Sequence, residues 1–457
     1  MKKLLMIAYF FPPVGGIGAA GSQRVLKFAK YLPAHGWQPI VLTAKESSYE
    51  SYLSLDRSLL EKVPADAEII RTSVIRWVTR LLELQKTIKT QQRSTNGMTI
   101  PQAPMAGDPA FPTTDGRYQR LKDAITDMFE IPDEEIGWFL PGVYTGLQVM
   151  KSKAIDAIYS TGRPWTAHLI GAALQRLTGK PLVIDFRDPW LTNPFRKRHS
   201  AFRERLERAL ERIVIERANV VIANTRELQL EFIKRFPQQP PAKFITLLNG
   251  FDPDDYATGP SSEKGSSDSC FTLVHTGFLY GKRDPAVFLE AVKLLIQEQR
   301  LDQRQMRVLL VGSVDLPYNL PEHLAKNGLQ DIVLLQDHVP HQESLEYLRT
   351  SDVLVLLQPG TTTQIPSKLF EYIGMRKPIL AISPQEGATC RLIIDEGLGV
   401  VAEPNNVLEI KQAMATLYQA WLGRRLSSTI VDGAHKKFDV RNVAADLATT
   451  LTHLHTV

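Results

Sequence analysis

The chain has 457 residues, which is enough for two or three domains that each bury a hydrophobic core. Its 44% hydrophobic and 23% charged residues exclude wholesale disorder. The two cysteines, Cys270 and Cys390, are too few for a disulfide framework or a zinc site, so a reducing compartment such as the cytoplasm is expected. No apolar run approaches the ~20 residues of a membrane-spanning helix.

The formal net charge of +5 conceals an asymmetry between the two halves of the chain. Residues 1–250 contain 35 lysines and arginines against 24 acids, a balance of +11, and the rest has 19 against 25, a balance of −6. A basic half favours contact with an anionic surface. Nucleic acid is the weaker choice, because the sequence shows no recognition motif and no interleaving of basic with aromatic residues.

The first half of the chain begins as a βαβ unit. Residues 3–8 form a buried strand, a glycine-rich loop follows, and a helix runs from about 22 to 34 before the next strand. Gly15 and Gly16 let the backbone approach a ligand closely, and the start of the helix attracts an anion. The glycine spacing differs from the dinucleotide fingerprint, so the loop by itself identifies no ligand.

Residues 73–150 are less regular and are interpreted as an insertion. A basic segment with helical spacing, RWVTRLLELQKTIK, precedes a stretch rich in Gln, Ser, Thr and Pro that is typical of a mobile loop. The basic segment is interpreted as a surface helix with one core-facing stripe, and contact with a membrane is the alternative. Loops of this length inside compact domains are usually functional or disordered.

An apolar strand in PLVIDFRDPW ends in three charged residues, Asp185, Arg187 and Asp188. Sheets of α/β domains bind ligands at the carboxyl ends of parallel strands, where these residues are expected. Asp188 is a candidate for orienting or deprotonating an acceptor hydroxyl, with Arg187 keeping the carboxylate charged. The alternative is a structural Asp–Arg pair that caps the next helix. That helix, 201–218, carries many i, i+4 pairs of opposite charge and is interpreted as solvent-exposed.

A segment poor in apolar residues, 253–269, is interpreted as an interdomain linker. Strands and helices alternate again after it, which indicates a second doubly wound parallel sheet. The first strand of this sheet ends at Gly277, and Lys282 and Arg283 follow. Two cations beside a glycine-containing strand end suit a diphosphate, because they supply charge and fork-like donors.

The most informative segment is 352–382, which reads as a buried strand, a loop rich in Gly and Thr, a helix and another strand. The helix opens near Ser367, a small hydroxyl residue at the expected N-cap, with Lys368 in its first turn. Its first N–H groups have no intrahelical partners, so an anion is favoured there. Glu371 lies one turn later on the same face, where its carboxylate can accept two hydrogen bonds from a ribose diol. These features predict a nucleotide-diphosphate pocket, and an ordinary capped helix is the alternative.

Two stretches, PSKLFEYIGMRKPIL (366–380) and 271–283, resemble the donor-binding segments of retaining GT-B glycosyltransferases of family four. The resemblance is greatest to the branch that assembles bacterial surface polysaccharides and glycolipids, in which runs similar to DFRDPW also occur. It implies an α/β fold of two doubly wound, Rossmann-like domains that face each other across a cleft. The implied parts are an acceptor-side domain (1–252, including the insertion), the linker (253–269), a nucleotide-sugar-binding domain (270–430) and a terminal helix returning to the first domain (431–457).

The resemblance also implies roles for single residues. Glu371 matches the second, ribose-binding glutamate of the family's Glu-x7-Glu pair, and Thr363 occupies the position of the first, which lies near the sugar in that family. Lys282 and Arg283 would stabilise the leaving diphosphate, and the backbone at Pro340 would contact the base. The donor-binding candidates are Gly15, Gly16, Gly277, Lys282, Arg283, Pro340, Ser367, Lys368, Leu369 and Glu371.

The implied activity is transfer of a sugar from a nucleotide-diphosphate sugar to a hydroxyl group, with retention and without a metal or cofactor. The expected acceptor is a lipid-linked glycan or a surface-polysaccharide precursor, and the basic first half then suits the anionic inner face of the cell membrane. Two alternatives stay open. A GT-B sugar-nucleotide epimerase would need more acid and base side chains around the sugar, and a catalytically weak nucleotide-sugar-binding subunit would be consistent with Thr363.

Overall fold

The computed structural model describes residues 1–15, 19–49, 55–75, 130–193, 196, 199–257, 270–301 and 304–454. Contacts within the chain define two compact units, Met1–Val221 and Ile222–Val457. Three regions singled out by the sequence lie outside the described residues: Gly16, the basic segment and loop within 76–129, and residues 258–269 of the predicted linker. The domain limits drawn from the sequence stay predictions.

The described residues form fifteen strands. They are β1 (Lys2–Ile7), β2 (Trp37–Ala44), β3 (Glu68–Thr72), β4 (Ala157–Gly162), β5 (Leu182–Phe186), β6 (Val220–Ala223), β7 (Phe244–Thr246), β8 (Phe271–Thr276), β9 (Leu279–Tyr280), β10 (Met306–Val311), β11 (Val314–Asp315), β12 (Val333–Gln336), β13 (Val353–Leu357), β14 (Ile379–Ile382) and β15 (Gly399–Ala402).

Thirteen α-helices lie in the same parts of the chain. They are α1 (Ala19–Tyr31), α2 (Phe139–Ser152), α3 (Thr166–Thr178), α4 (Ala201–Arg217), α5 (Arg226–Arg235), α6 (Asp254–Ala257), α7 (Ala286–Gln299), α8 (Leu320–Lys326), α9 (His341–Thr350), α10 (Ser367–Met375), α11 (Ala388–Asp395), α12 (Val407–Leu422) and α13 (Val440–His453). None of the described helices is both long and apolar enough to cross a membrane.

The first sheet has the strand order β3-β2-β1-β4-β5-β6-β7. β1 pairs in parallel with β2 on one side and with β4 on the other, so the direction in which strands are added reverses between β1 and β4. Every residue of β4 and β5 is buried, as expected for a parallel sheet with helices on both faces. The carboxyl ends of β1 and β4 therefore flank the switch point at which such sheets bind ligands.

The second sheet has the order β12-β10-β8-β13-β14-β15, and its switch point lies between β8 and β13. Alternate residues of β13 belong to two different hydrophobic clusters: Val353, Val355 and Leu357 to one, Leu354 and Leu356 to the other. Both faces of the sheet are therefore covered. The two doubly wound parallel sheets confirm the architecture predicted from the sequence.

Helix α1 begins earlier than the sequence pattern indicates. It starts at Ala19 rather than near residue 22, and its α-helical part ends at Tyr31, after which Leu32–His35 continue as a short 3-10 helix. The chain leaves the α-helix there because Pro33 has no N–H group to donate within it. The start of α1 is thus next to the glycine-rich loop.

Helix α4 is not wholly solvent-exposed, contrary to the prediction from its charge pattern. Its side chains Arg203, Glu207 and Glu211 are buried. Glu207 accepts hydrogen bonds from Trp190 Nε1 at 3.2 Å, Arg196 Nη2 at 2.9 Å and Arg203 Nε at 2.7 Å. A carboxylate with three such donors tolerates burial, so i, i+4 charge pairs do not by themselves distinguish an exposed from a buried helix face.

Candidate functional site

The second sheet brings two predicted segments together at its switch point. The chain that follows β8 carries Lys282 and Arg283, and the chain that follows β13 leads into α10. Lys282 lies across Gly360, because a β-carbon at Gly360 would be 2.6 Å from Lys282 Cδ and 3.3 Å from Nζ. Arg283 Nη2 donates a hydrogen bond to Gln358 Oε1 at 3.1 Å. Both cations therefore reach from one strand end to the loop of its neighbour.

Three contacts hold Arg283 in place. Its backbone N–H donates to Tyr280 O at 2.8 Å, and its guanidinium carbon lies 5.6 Å from the centre of the Tyr280 ring. Its side-chain bond goes to Gln358, a buried residue that directly follows β13. Neither partner carries a charge, so the arginine is held without being neutralised. The sequence analysis missed Gln358, although a polar residue directly after a buried strand was a usable signal.

Lys368 reaches the end of β8 from the first turn of α10. A β-carbon at Gly277 would lie 3.0 Å from Lys368 Cε and 3.4 Å from Cδ, so a larger residue would displace the lysine. Gly277 has φ +149°, which favours glycine for a second reason. Two predicted donor-binding residues, Gly277 and Lys368, are thus in contact.

The start of α10 differs in one detail from the prediction. Pro366 occupies the N-cap position without a side-chain cap, and Ser367 is the first helical residue rather than the cap. Leu369 N–H donates to Pro366 O at 3.0 Å, and the Leu369 side chain packs in the core. An uncapped helix start leaves its first N–H groups open to an anion, as the predicted pocket requires.

Glu371 follows one turn after the start of α10, and its side chain is about a quarter exposed. Its Oε1 lies 3.7 Å from Nε2 of His341, the residue after Pro340. Its backbone carbonyl accepts a hydrogen bond from the Tyr256 hydroxyl at 3.0 Å. Burial, with the Glu371 carboxylate, raises the pKa of Tyr256 well above its usual value, so the phenol keeps its proton and remains a donor. Pro340 itself is the exposed N-cap residue of α9, which places that predicted base-contacting turn near Glu371.

Thr363 is held by its backbone. Its carbonyl oxygen accepts a hydrogen bond from the Thr225 hydroxyl at 2.7 Å. The next residue, Gln364, accepts from the Thr361 hydroxyl at 3.2 Å through its side chain and from the Thr389 hydroxyl at 3.2 Å through its carbonyl. Hydrogen bonds therefore hold the backbone of the loop between β13 and α10 at Thr363, the position at which the resembled family carries a glutamate.

His275, which the sequence analysis did not select, lies under the same site on β8. Its Nδ1 is 2.9 Å from Val355 O, and because a carbonyl can only accept, Nδ1 carries the proton. Its Nε2 is buried and has no hydrogen-bond partner in the part of the chain that the structure describes; it lies 3.4 Å from the point where a β-carbon of Gly277 would be. Burial, with the nearby Lys368 and Arg283, lowers the pKa of His275 to about 4, so the ring is neutral at pH 7.

In the first unit, Asp185 has a structural set of partners. It is fully buried and accepts from Arg24 at 2.7 and 3.1 Å, from the Thr161 hydroxyl at 3.2 Å, and from the Tyr159 hydroxyl. Its salt bridge is formed with Arg24 on α1. No sequence pattern pointed to that pair, because its members are 161 residues apart.

Arg187 and Asp188 follow β5 at the carboxyl edge of the first sheet. Arg187 donates to the Thr161 hydroxyl at 3.1 Å and to the Arg163 carbonyl, and its Nη1 would lie 2.3 Å from a β-carbon at Gly21 of α1. Burial lowers the pKa of Arg187, and the neighbouring Asp188 opposes that shift. The predicted pair is therefore adjacent, with Asp188 partly exposed. Gly15 is buried ahead of α1, in the loop whose next three residues are not described.

Within the described residues, no three His, Cys, Asp or Glu side chains form a group that could hold a metal ion. The expectation of a metal-independent reaction stays a prediction. The positively charged groups at the switch point of the second sheet are the side chains of Lys282, Arg283 and Lys368. Such an arrangement can bind a phosphate ester and stabilise charge on a departing phosphate.

Known protein families match both halves of the chain. A model described as "Glycosyl transferase 4-like domain" matches residues 20–250, slightly more than half of the sequence, and one described as "Glycosyl transferases group 1" matches residues 270–420. Among curated proteins, no sequence matches significantly.

Solved structures share the fold over the whole length. A glycosyltransferase from Rickettsia africae aligns with TM-score 0.62 at 14% identity, covering 99% of this chain and 98% of its own. HepE from Anabaena, in complex with UDP and glucose, aligns with TM-score 0.57 at 16% identity and 99% coverage of both chains. Sucrose-phosphate synthase from Thermosynechococcus elongatus aligns with TM-score 0.59 at 14% identity and full coverage of both. The chain has the GT-B fold, belongs to the glycosyl transferase 4-like family, and is a glycosyltransferase.

Proposed function

We propose that the enzyme transfers a sugar from a nucleoside-diphosphate sugar to a hydroxyl acceptor. The reaction proceeds with retention of configuration at the anomeric carbon of the sugar and without a metal ion. The observation that carries this proposal is the convergence of Lys282, Arg283 and Lys368 on the ends of β8 and β13. None of the three side chains is paired with a carboxylate among the described residues. Three cations without an acid between them match the charge of a diphosphate.

The remainder of the nucleotide fits the residues around this cationic group. Glu371, one turn into α10, offers carboxylate oxygens to the ribose hydroxyls. The turn at Pro340 and His341 lies beside Glu371 and would contact the base. The complexes of HepE contain UDP and glucose, which makes UDP-sugars the first donors to test.

Charge develops on the diphosphate as the bond to the sugar breaks, and this charge needs stabilisation in the transition state. Arg283 would supply two fork-like donors and the two lysines would supply point charges, which is the work that a divalent cation performs in other enzymes. Retention is proposed from the resemblance to family four. Thr363 would then present a hydroxyl, and no carboxylate, to the transferred sugar.

The acceptor side is proposed to lie at the carboxyl end of β5. Asp188 would orient or deprotonate the acceptor hydroxyl, and Arg187 would favour the ionised form of that carboxylate. The proposed acceptor is a lipid-linked glycan or surface-polysaccharide precursor. The +11 balance of residues 1–250 supports this choice, because the inner leaflet of a bacterial membrane is anionic. Binding to anionic liposomes should then weaken steeply with added salt, and salt-insensitive binding or none would favour a soluble acceptor.

A donor screen tests the proposal. Purified enzyme is mixed with UDP-, GDP- and ADP-sugars, and the melting temperature and the release of nucleoside diphosphate are measured. Binding to the native state raises the melting temperature, so the true donor should raise it and should also be turned over slowly to nucleoside diphosphate and sugar. Stabilisation without any turnover, even with acceptor extracts, would contradict a transferase role for this site. If the product were a nucleotide sugar with inverted configuration at one sugar carbon, the enzyme would be a sugar-nucleotide epimerase.

A further inference from the structure

Two complementary groups meet at Gly277, and neither has a hydrogen-bond partner among the described residues. His275 Nε2 is an acceptor inside a residue that is only 4% exposed, and in the described part of the chain no donor reaches it. The Lys368 ammonium is a donor, and it has no hydrogen bond or ion pair with any described residue. Nε2 and Lys368 Cε lie 3.4 Å and 3.0 Å from the same point, the place where Gly277 lacks a β-carbon.

We propose that His275 is a positioning residue for Lys368. Nε2 of its neutral ring accepts a hydrogen bond from the Lys368 ammonium, which a rotation at the end of the lysine side chain allows, and so fixes that ammonium over Gly277. A buried acceptor without a donor destabilises the folded state, so the pairing stabilises the folded enzyme as well. The consequence for donor binding rests on the proposed function, because it assumes that a diphosphate binds at Lys368.

The chemistry of the ring favours this assignment over direct contact with phosphate. With its proton on Nδ1 and bonded to Val355 O, the ring presents only a lone pair at Nε2. A lone pair repels an ionised phosphate oxygen, but it attracts an ammonium group. The low pKa of His275 keeps this lone pair free at neutral pH.

A neutral partner has an advantage over a carboxylate at this position. An Asp or Glu would hold the ammonium equally well but would cancel its charge, and the diphosphate would gain little from it. A neutral imidazole fixes the direction of the ammonium and leaves its full positive charge for the ligand. Arg283 follows the same rule, since its partner Gln358 is also uncharged.

The first test needs no ligand and therefore does not depend on the proposed function. In ¹⁵N NMR spectra of the free enzyme at pH 7, His275 should appear as a neutral ring protonated on Nδ1. Its Nε2 resonance should move when Lys368 is replaced by Met, because the hydrogen bond is lost. An Nε2 resonance that is the same in wild type and Lys368→Met would overturn the pairing, even if the enzyme binds donors as proposed.

The second test measures binding of the nucleoside diphosphate that the donor screen selects, together with its parent nucleoside. His275→Phe should weaken the diphosphate about tenfold, the size of one hydrogen bond to a charged group, and should leave the nucleoside unaffected. The variant removes the histidine donor to Val355 O, but this carbonyl still accepts a hydrogen bond from the Tyr372 hydroxyl at 3.3 Å. His275→Gln, which retains an acceptor, should restore most of the affinity.

A double-mutant cycle completes the test. In a Lys368→Met background, His275→Phe should have almost no further effect on the diphosphate, because the group it positions is gone. Losses that simply add would overturn the proposal, as would a parallel loss of nucleoside affinity, which is the sign of a purely structural histidine. A loss confined to the intact nucleotide sugar would show that Nε2 binds the sugar instead. If wild type binds no nucleoside diphosphate, the proposed function fails and the NMR result alone decides the pairing.

Discussion

The side chain of Lys282 lies flat across Gly360, with Cδ only 2.6 Å from the position that a β-carbon would occupy. Gly360 has φ +80°, so both the backbone and the packing require glycine there. This contact ties the chain after β8 to the chain after β13 and fixes one of the three cations of the proposed diphosphate site.

Replacing Gly360 by Ala should therefore reduce both stability and nucleoside-diphosphate affinity. The left-handed backbone costs about 1–2 kcal/mol for a residue with a β-carbon, and the methyl group would also displace Lys282. Gly281→Ala is the matched control, because Gly281 has φ +51° but no atom near its β-carbon position. Its melting temperature should fall with little change in affinity. Equal affinity losses in both variants would contradict a specific role for the Lys282–Gly360 contact.

Glu371→Gln tests recognition of the ribose. The substitution keeps the shape and removes the charge, so affinity for a nucleoside diphosphate should fall by about 1.5 kcal/mol, and affinity for inorganic pyrophosphate should change little. Both are measured by calorimetric titration. Tyr256→Phe serves as a control, because the Tyr256 hydroxyl that it removes donates only to the backbone carbonyl of Glu371 among the hydrogen bonds of the described residues. Equal losses for the two ligands in Glu371→Gln would leave the carboxylate a structural role only.

Asp188 and Asp185 stand three residues apart in one segment and should respond differently to the same change. Asp188→Asn should lower turnover ~100-fold or more, typical of lost general-base assistance, with donor affinity and melting temperature nearly unchanged. Asp185→Asn should destabilise the protein by about 3–5 kcal/mol, because it leaves Arg24 buried without a counter-charge. A folded Asp188→Asn enzyme with full turnover would remove Asp188 from the mechanism.

Two buried histidines should make the stability depend on pH. Burial lowers the pKa of His168 from 6.5 to about 3 and that of His275 to about 4, so both are neutral in the folded enzyme. Below pH 6.5 the unfolded chain binds protons that the folded chain does not, and the free energy of unfolding therefore falls as the pH falls. Each histidine should lower the free energy of unfolding by about 1–2 kcal/mol between pH 6.5 and 5.

Urea unfolding at several pH values measures this effect. The slope of the free energy of unfolding against pH should be smaller in His168→Gln, by the equivalent of about one proton bound on unfolding, because glutamine cannot titrate in this range. Carboxyl groups are the same in wild type and His168→Gln, so the difference between the two slopes isolates the contribution of the histidine. An identical slope in wild type and His168→Gln would contradict the neutral, buried state of this ring.

The sequence predicted the two doubly wound sheets because the cue is local. Short apolar strands such as residues 353–357 alternate with helices at regular spacing, and the residues at strand ends are then fixed by topology. Lys282, Arg283, Lys368 and Glu371 are predicted site residues for this reason. Each lies within a few residues of a strand end or helix start that the pattern already marked.

The remaining features depend on contacts between distant parts of the chain. Arg24 pairs with Asp185 across 161 residues, and His275 becomes notable only through its environment, which local sequence does not encode. The buried charges of α4 were misassigned for a related reason. The helix sequence alone predicts that Glu207 is exposed. Its burial depends on hydrogen bonds from Trp190 and Arg196, which lie outside the helix.

Lys282 and Arg283 are proposed to bind the diphosphate of the donor. Calorimetric titration of the selected nucleoside diphosphate into wild type and a Lys282→Ala/Arg283→Ala variant measures this binding, with exposed Arg307→Ala on β10 as the control. Each lost charged contact is worth about 1.5–3 kcal/mol, so the double variant should bind at least a hundredfold more weakly, and Arg307→Ala should bind like wild type. A double variant that remains folded and binds the nucleotide with wild-type affinity would show that these two residues do not bind the diphosphate.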